Sequence, residues 1–427
     1  MRPHLYTRTL LLTLLAAAIV LACGLFDPYQ PEDFEPVPPP QVEEDLPTEP
    51  ETPIEEEAPL PEVEPQTFSD GEDLRFLEFD IIEPESSVTI TIEPDDLSIL
   101  FYARSADERD FVAVFEVIAP DGETLYLFDF ETEEASGPMG GLEGFIAEGE
   151  VAMFLPPAPQ FALQPGEYTI EFGTEGDDFA EVGAIIKSGN ANASQAIDFN
   201  VWLATDAADL QDSSFIETIQ ADIDAILNPH DMQVGEFYVS EAPAEVVEEF
   251  NSGGGEVTLD EDDIPTACRL AAEDLGAERA VNLVVVDWIT AAGVPEGEIA
   301  GVTSGLPGTI FVPDSKQSCV IASYLAYEDS TVEHAANWLH ESAHFMSLVH
   351  TTEEDGQFFD LLADTPECPA DVYDEDGDGF VDDFECDLEG GADNFIFYSG
   401  VIDFAPFQMT DDQAWVLARH PLFYPVE

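Results

Sequence analysis

The stretch HESAHFMSLVH, His340–His350, decides how the C-terminal half of this chain is interpreted. On a helix, His340 and His344 project from one face, one turn apart, so both imidazoles can reach a single metal ion. Glu341 lies beside them, where it can act as general base for a water molecule bound to that ion. His350 reaches the same ion only if the helix ends after His344 and the chain turns back. Three neutral histidines with an open fourth position are the ligand set of catalytic zinc, so the stretch predicts a zinc site.

The pattern His340-Glu341-x-x-His344-x-x-Ser347-x-x-His350 resembles the extended zinc signature of metzincin metalloproteases, within them the pappalysin-like branch. Three later segments are similar to that branch as well: Asp364-Thr365-Pro366 with Cys368, the stretch DNFIFYS at 393–399, and FQMTDDQ at 407–413. The resemblance implies that the three histidines bind zinc and that Glu341 acts as base and then as proton donor. It also implies that Tyr398 stabilises the oxyanion. The implied fold is an α+β metzincin-like catalytic domain with a mixed twisted sheet and an active-site helix.

Two positions depart from the family pattern. Ser347 replaces the glycine that ends the helix, and Ile396 replaces the methionine of the Met-turn. A left-handed conformation costs a non-glycine residue about 1–2 kcal/mol, whereas zinc binding contributes about 10 kcal/mol or more. Isoleucine is similar to methionine in volume. The departures therefore leave the metal site possible but keep a non-catalytic protease homologue as an alternative.

A second metal-binding pattern spans residues 374–385. Its side chains match an EF-hand-type calcium loop, with glycine at the sixth position and a backbone carbonyl at the seventh. The predicted calcium ligands are Asp374, Asp376, Asp378, the carbonyl of Phe380, Asp382 and Glu385. The alternative is a solvated acidic loop. The absence of clear flanking helices in the sequence predicts a structural calcium site rather than a sensor.

The N-terminus is typical of a bacterial lipoprotein. Arg2 and Arg8 precede the apolar run Leu10–Val20, and Val20-Leu21-Ala22-Cys23 resembles a lipobox. Cleavage before Cys23 and its lipidation would anchor the protein in a membrane. Because Gly24 rather than aspartate follows, we expect an outer-membrane lipoprotein that faces either the cell surface or the periplasm.

Four cysteines remain once Cys23 is assigned to lipidation, namely Cys268, Cys319, Cys368 and Cys386. An even number in an exported chain suggests two disulfides. The sequence does not determine the pairing. The nearest-neighbour choices are Cys268–Cys319 and Cys368–Cys386, and the second pair would enclose the calcium loop.

The chain divides into four parts by composition. Twelve prolines lie among many glutamates between Pro28 and Pro65, which predicts an extended stalk. Short β-type runs with turn signals then predict an all-β sandwich, an accessory domain with no assigned ligand. Alternating strands and helices follow. Strands are predicted at 281–289 and 309–312, and helices at 213–227, from about 331 and at 411–419. The predicted parts are a signal peptide at 1–22, a stalk at 23–66, the sandwich at 67–190 and the zinc protease domain at 195–427.

Charge excludes several functions. The chain has 10 Lys+Arg and 93 Asp+Glu, which gives a net charge of −83. Such a surface repels nucleic acid and anionic headgroups, so we expect no nucleic-acid partner. Adaptation to a saline medium and the binding of divalent cations both remain open as reasons for the charge.

Together these features predict an exported, lipid-anchored zinc metalloendopeptidase that is stabilised by calcium and acts on a protein or peptide. One alternative is a catalytically inactive surface binding or adhesion protein that keeps the protease fold. Another is a purely structural, calcium-dependent surface protein.

Overall fold

The computed structural model describes residues 62–426 except positions 64, 70–72, 81–82, 130–131, 133, 143–144, 177, 208, 252–255, 259–262, 276–278, 292–298, 313–314, 328–329, 388 and 400–405. The predicted signal peptide, Cys23 and most of the predicted stalk lie outside these residues. Within the part that is described, no helix combines the length and apolar character needed to cross a membrane.

Residues 62–188 form two largely antiparallel sheets. Their strands are β1 Glu62–Val63, β2 Pro65–Ser69, β3 Leu74–Phe79, β4 Glu85–Ile92, β5 Asp96–Ser105, β6 Phe111–Ile118, β7 Thr124–Asp129, β8 Glu134–Ser136, β9 Ile146–Glu148, β10 Glu150–Leu155, β11 Gly166–Thr174 and β12 Phe179–Ser188. One sheet has the order β1-β4-β11-β6-β7-β8 with β9 on β6, and the other has the order β10-β5-β12-β3-β2. Apolar residues of both sheets, such as Ile90 and Phe101, share one core. The alternating pattern produces this packing because every second side chain points inward.

The remaining residues form a mixed α/β unit. Its strands are β13 Gln195–Leu203, β14 Met232–Glu241, β15 Glu256–Thr258, β16 Val281–Val286, β17 Trp288–Thr290, β18 Gly301–Thr303, β19 Val320–Ser323 and β20 Tyr424–Pro425. Its helices are α1 Ser213–Leu227, α2 Ala244–Asn251, α3 Asp263–Leu275, α4 Thr331–Phe345, α5 Ala370–Tyr373, α6 Asp383–Cys386 and α7 Asp411–Leu417.

The main sheet of this unit has the order β14-β13-β16-β19-β18, and β20 pairs with β13. Strands β14, β13, β16 and β19 are parallel, whereas β18 runs antiparallel at the edge. All of β16, VNLVVV, is buried, as is typical of a central parallel strand covered on both faces. Helices α1 and α4 contribute to the core on one face, and α3 contributes to the core on the other. Strands β15 and β17 form a separate two-stranded sheet.

The helices predicted at Ser213–Leu227 and from Thr331 are confirmed. Asp212 accepts a hydrogen bond from the backbone N–H of Ser214, so α1 begins at an aspartate cap. The predicted last helix at Asp411–Arg419 ends slightly earlier, at Leu417. Thr410 and Gln413 form a capping box at its start.

Two strand predictions and the end of the predicted stalk need correction. The strand predicted at Thr309–Val312 does not form, because Phe311 has φ = 60°, which breaks an extended chain. The strand predicted at Val281–Ile289 is divided into β16 and β17, because the chain turns at Asp287. Strands β1 and β2 begin inside the segment predicted as stalk, because they pair with β4 and β3.

Candidate metal centre

Three histidine side chains meet at the end of α4. The Nε2 atom of His344 lies 3.0 Å from Nε2 of His340 and 3.0 Å from Nε2 of His350. The Nε2 atoms of His340 and His350 are 3.2 Å apart. All three side chains are buried. The three imidazoles therefore form a group that can hold one metal ion, as their spacing predicts.

The chain reversal that brings His350 to this group is a Schellman turn at the end of α4. The N–H of Leu348 donates to the carbonyl of Ala343 at 2.9 Å, and the N–H of Ser347 donates to the carbonyl of His344 at 2.8 Å. Ser347 has φ = 80°, the left-handed conformation expected at this position. The serine thus performs the backbone role of a glycine, and the turn forms without one.

A second layer of contacts determines which nitrogen of each ring carries the proton. The Nδ1 atom of His340 lies 2.9 Å from the carbonyl oxygen of Phe395, and that of His344 lies 2.7 Å from the carbonyl oxygen of Leu348. Carbonyl oxygens only accept, so both Nδ1 atoms donate and both Nε2 atoms keep a free lone pair. The Nδ1 atom of His350 lies 3.0 Å from both carboxylate oxygens of Glu353.

This donor set fits a cation. Three Nε2 lone pairs that face one another cannot satisfy each other by hydrogen bonding. A tetrahedral zinc ion with bonds of about 2.0–2.1 Å separates its ligand nitrogens by about 3.3 Å, close to the distances observed. Burial, together with repulsion from His350, lowers the pKa of His340 to about 3. Burial also lowers the pKa of His344 well below its usual value. Both rings are therefore neutral at pH 7, the form that binds metals.

Glu341, the residue after His340, lies against the edge strand of the sheet. Its side chain is buried against Gly301, since a Cβ built on Gly301 would lie 2.7 Å from Oε1 of Glu341. The side-chain amide of Asn337 donates to the carbonyl of Ala300 at 2.9 Å, which ties α4 to the residue before β18. The side chain of Glu341 therefore packs against β18, to which α4 is tied through Asn337.

The segment that contains Ile396 lies against His340. The carbonyl of Phe395 accepts the hydrogen bond from His340, and the carbonyl of Ile396 accepts one from the N–H of Thr351 at 3.3 Å. The Ile396 side chain is fully buried in the core shared with α4. Paired side-chain amides of Asn394 and Gln413 join this turn to α7.

Tyr398 is held by the acidic loop. Its hydroxyl donates to the carbonyl of Val381, and its ring packs beside the group that contains Cys368 and Cys386. Burial, together with the neighbouring carboxylate of Glu354, raises the pKa of Tyr398. The role of Tyr398 at the oxyanion stays a prediction.

The structure brings together three of the six predicted calcium ligands. Carboxylate oxygens of Asp374, Asp376 and Asp378 lie within 4.8 Å of one another. Asp382 and Glu385 instead form the capping box of α6, although Glu385 also accepts the N–H of Glu375 at 2.7 Å. The Phe380 side chain is exposed. Helix α5 precedes the loop, whereas α6 includes its last three residues; each helix has one turn.

Both disulfides have the nearest-neighbour pairing. Cys268 bonds Cys319, and Cys368 bonds Cys386. The first joins α3 to the residue before β19. The second joins the two ends of the segment that contains the acidic loop.

Sequence reasoning missed Glu353 and Gly301. Glu353 contacts a predicted ligand and lies three residues after His350. Its proximity to His350 in the sequence could have indicated this contact. One acidic residue among 93 is not distinctive, however, so the sequence did not single it out. Gly301 is distant in sequence, and only the sheet brings it to Glu341.

Comparison with known proteins gives weak structural similarities. No family model and no curated protein matches the chain. The fold is similar to metalloproteinase-II from Bacteroides fragilis, with 12% identity and a TM-score of 0.27 over 42% of this chain and 56% of that one. It is also similar to the CBM22-1 xylan-binding domain of Xyn10C from Paenibacillus barcinonensis, with 11% identity and a TM-score of 0.13 over 30% of this chain and 78% of that one. The first similarity spans little more than half of that protein's length, and scores this low carry no argument about function.

Proposed function

We propose that this protein is a zinc-dependent metalloendopeptidase of metzincin type. The observation that carries the proposal is the convergence of three buried Nε2 lone pairs, with each Nδ1 against an oxygen acceptor. Glu341, the residue after His340 in the chain, supplies the type of side chain that general base catalysis requires.

Each residue of the site has a separate proposed role. His340, His344 and His350 would hold the zinc ion. When bound, the ion would polarise a peptide carbonyl and lower the pKa of a water molecule. Glu341 would accept a proton from the attacking water and return it to the leaving amine. Strand β18, at the edge of the sheet beside Glu341, would position the substrate backbone by strand pairing.

Two measurements test this proposal. Purified protein should contain one zinc ion per chain by elemental analysis, and a His344→Ala variant should lose it. The wild type should cleave an unfolded, neutral or cationic protein, because the charge of −83 repels acidic chains. Glu341→Gln keeps the shape of the side chain and should reduce the rate by about 10²-fold or more while zinc is retained.

The alternative is a surface binding or adhesion protein that keeps the fold without catalysis. Ser347 and Ile396, at the two positions where the chain departs from the metzincin pattern, favour it. If wild type and Glu341→Gln bind zinc and are equally inert toward several unfolded substrates, the binding protein replaces the enzyme as our conclusion.

We also propose a structural calcium site in the loop 374–385. Proximity of the three aspartates supports it, as does Gly379, which has φ = 96° at the sixth loop position. The Cys368–Cys386 disulfide would limit unfolding of the loop around the ion.

Export and lipid anchoring at Cys23 complete the proposal and rest on the N-terminal sequence. The anchor would attach the protein to the outer membrane, with protein or peptide substrates as its partners. Radiolabelled palmitate should enter the wild type in a bacterial host but not a Cys23→Ala variant.

A further inference from the structure

We propose that Glu353 is a positioning residue that orients His350 and strengthens its bond to zinc; this inference rests on the zinc site of the proposed function. Both carboxylate oxygens of Glu353 lie 3.0 Å from Nδ1 of His350. This forked contact fixes the ring so that Nε2 points toward the Nε2 atoms of His340 and His344.

Each of the three histidines donates from Nδ1 to an oxygen acceptor, and Glu353 is the only side chain among these acceptors. His340 and His344 donate to backbone carbonyls, which are neutral and whose positions are determined by the backbone. His350 donates to a carboxylate, which carries a full negative charge. A carboxylate makes the imidazole a stronger donor and adds negative charge beside a cation held by three neutral ligands.

The backbone around Glu353 holds the carboxylate in place. The N–H of Glu353 donates to the carbonyl of Phe358 at 3.1 Å, and the carbonyl of Glu353 accepts the N–H of Gly356 at 2.8 Å. Thr352 and Phe359 form a bridge across the same turn. The His350 side chain is 1% exposed and that of Glu353 is 32% exposed. The carboxylate therefore lies between the buried imidazole and the solvent.

This contact makes Glu353 the outer partner that a substitution can remove. Glu353→Ala removes both the hydrogen bond and the charge, whereas Glu353→Gln retains an acceptor oxygen and removes the charge alone. Glu354→Gln is the matched control when measured at about pH 8.5, because burial raises the pKa of Glu354 to about 7 and its carboxylate, one residue away, is ionised only above that pH.

The experiment measures zinc affinity by competition with a chromophoric chelator, and the unfolding of the zinc-free protein in urea. Glu353→Ala should lose zinc affinity by about 10–100-fold, with Glu353→Gln between it and the wild type. Glu354→Gln should stay within about 2-fold of the wild type, because its carboxylate is not a partner of His350. In the cobalt-substituted protein, the visible absorption bands should shift for Glu353→Gln but not for Glu354→Gln.

Each outcome decides between the two proposals. If the wild type binds zinc and both Glu353 variants bind it equally well, Glu353 has no positioning role and the zinc site stands. Equal losses of affinity for Glu353→Gln and Glu354→Gln reduce the effect to general charge and also overturn the role. A wild type that binds no zinc overturns the proposed function and, with it, this inference.

Discussion

At the scale of single residues, the turn after α4 shows how a serine can occupy a glycine position. Ser347 has φ = 80°, and it makes both hydrogen bonds of the Schellman turn possible. The left-handed conformation costs a non-glycine residue about 1–2 kcal/mol. The two backbone hydrogen bonds of the turn offset part of that cost.

Replacement of Ser347 by glycine should stabilise the protein. The variant relieves the strain but gains freedom in the unfolded chain, so we expect a net increase of about 0.5–1 kcal/mol in the free energy of unfolding. Urea titration of the zinc-free protein measures this change in the free energy of unfolding. Ser347→Ala keeps the strain and serves as control. A less stable glycine variant would show that the serine hydroxyl contributes more than the backbone strain costs.

Gly301 should be required for activity. A methyl group there would lie 2.5 Å from Cγ of Glu341, so Gly301→Ala must displace the carboxylate or the strand. We expect the rate of proteolysis to fall by about 10-fold or more while zinc content is unchanged. Gly141→Ala is the control, since its methyl group would meet only the flexible end of Leu361. Full activity of Gly301→Ala would argue against Glu341 as the base.

Asp360 should make the protein less stable as the pH rises. Its Oδ1 accepts the N–H of Leu362 and the hydroxyl of Thr365, but its buried Oδ2 has no hydrogen-bond partner among the described residues. Burial raises the pKa of Asp360 to about 7. The unfolded pKa is about 4, so the native state binds the proton more tightly between about pH 4 and pH 7. This contribution is fully present below about pH 4 and is lost as the pH rises through 7.

Asp360→Asn removes that titration. The variant should be more stable than the wild type at about pH 8, and this advantage should shrink toward about pH 4. Urea midpoints at several pH values measure the difference. The exposed Asp371→Asn controls for removal of one charge. A difference that is constant with pH contradicts the interpretation.

At the scale of elements, the acidic loop 374–385 is hydrogen-bonded to the segments around the three histidines. The N–H of Val381 donates to the carbonyl of Glu354, and the carbonyl of Val381 accepts the hydroxyl of Tyr398. The loop is therefore joined both to the turn that holds Glu353 and to the segment that follows Ile396. An ion that orders the loop would also order these neighbours.

Calcium should raise the melting temperature of the purified protein. A ligand that binds only the native state adds RT ln(1 + [L]/Kd), and about 1 kcal/mol corresponds to about 1–2 °C in a chain of this size. Calorimetry with calcium against a chelator measures the shift, with magnesium as control. Asp374→Asn should abolish most of it. If calcium and magnesium act alike in wild type and variant, the effect is screening of the large negative charge.

At the scale of the whole molecule, a buried lysine joins the two parts. Lys187, on β12, donates to the carbonyls of Ala418 and Phe423 at 2.7 Å and to that of His420 at 3.2 Å. Arg279 adds bonds to Asp73 and to the carbonyl of Phe423. Apolar residues of β5 and β10 share a core with α1 and α4. The two sheets of residues 62–188 therefore help to support the helix that carries His340 and His344.

Lys187→Met should destabilise the protein strongly. It removes the ammonium donor from three carbonyl oxygens. Those of His420 and Phe423 keep the N–H of Phe423 and the guanidinium of Arg279, whereas that of Ala418 loses its donor, so we expect a loss of about 2–3 kcal/mol. The chain's second lysine, Lys316, forms a partly exposed ion pair with Glu108 and is the matched control. Lys316→Met should cost less than about 1 kcal/mol. Equal effects in urea titrations would contradict the role of Lys187 as a buried link.

The sequence alone determined what depends on local spacing. The sequence left the disulfide pairing open, but three histidines at metal-ligand intervals and the helices that begin at Ser213 and Thr331 were predictable. Such features follow from helical periodicity and short loops, which a linear pattern records. The left-handed turn at Ser347 was predictable for the same reason.

Only the tertiary structure decided what depends on contacts between distant segments. Gly301 against Glu341, the carbonyl of Phe395 beneath His340, and Lys187 at the C-terminal carbonyls each join residues far apart in the chain. Glu353 is close to His350 in sequence, but its role depends on how the turn after His350 folds. These contacts arise when the core closes, because packing selects one partner among many residues of the same type.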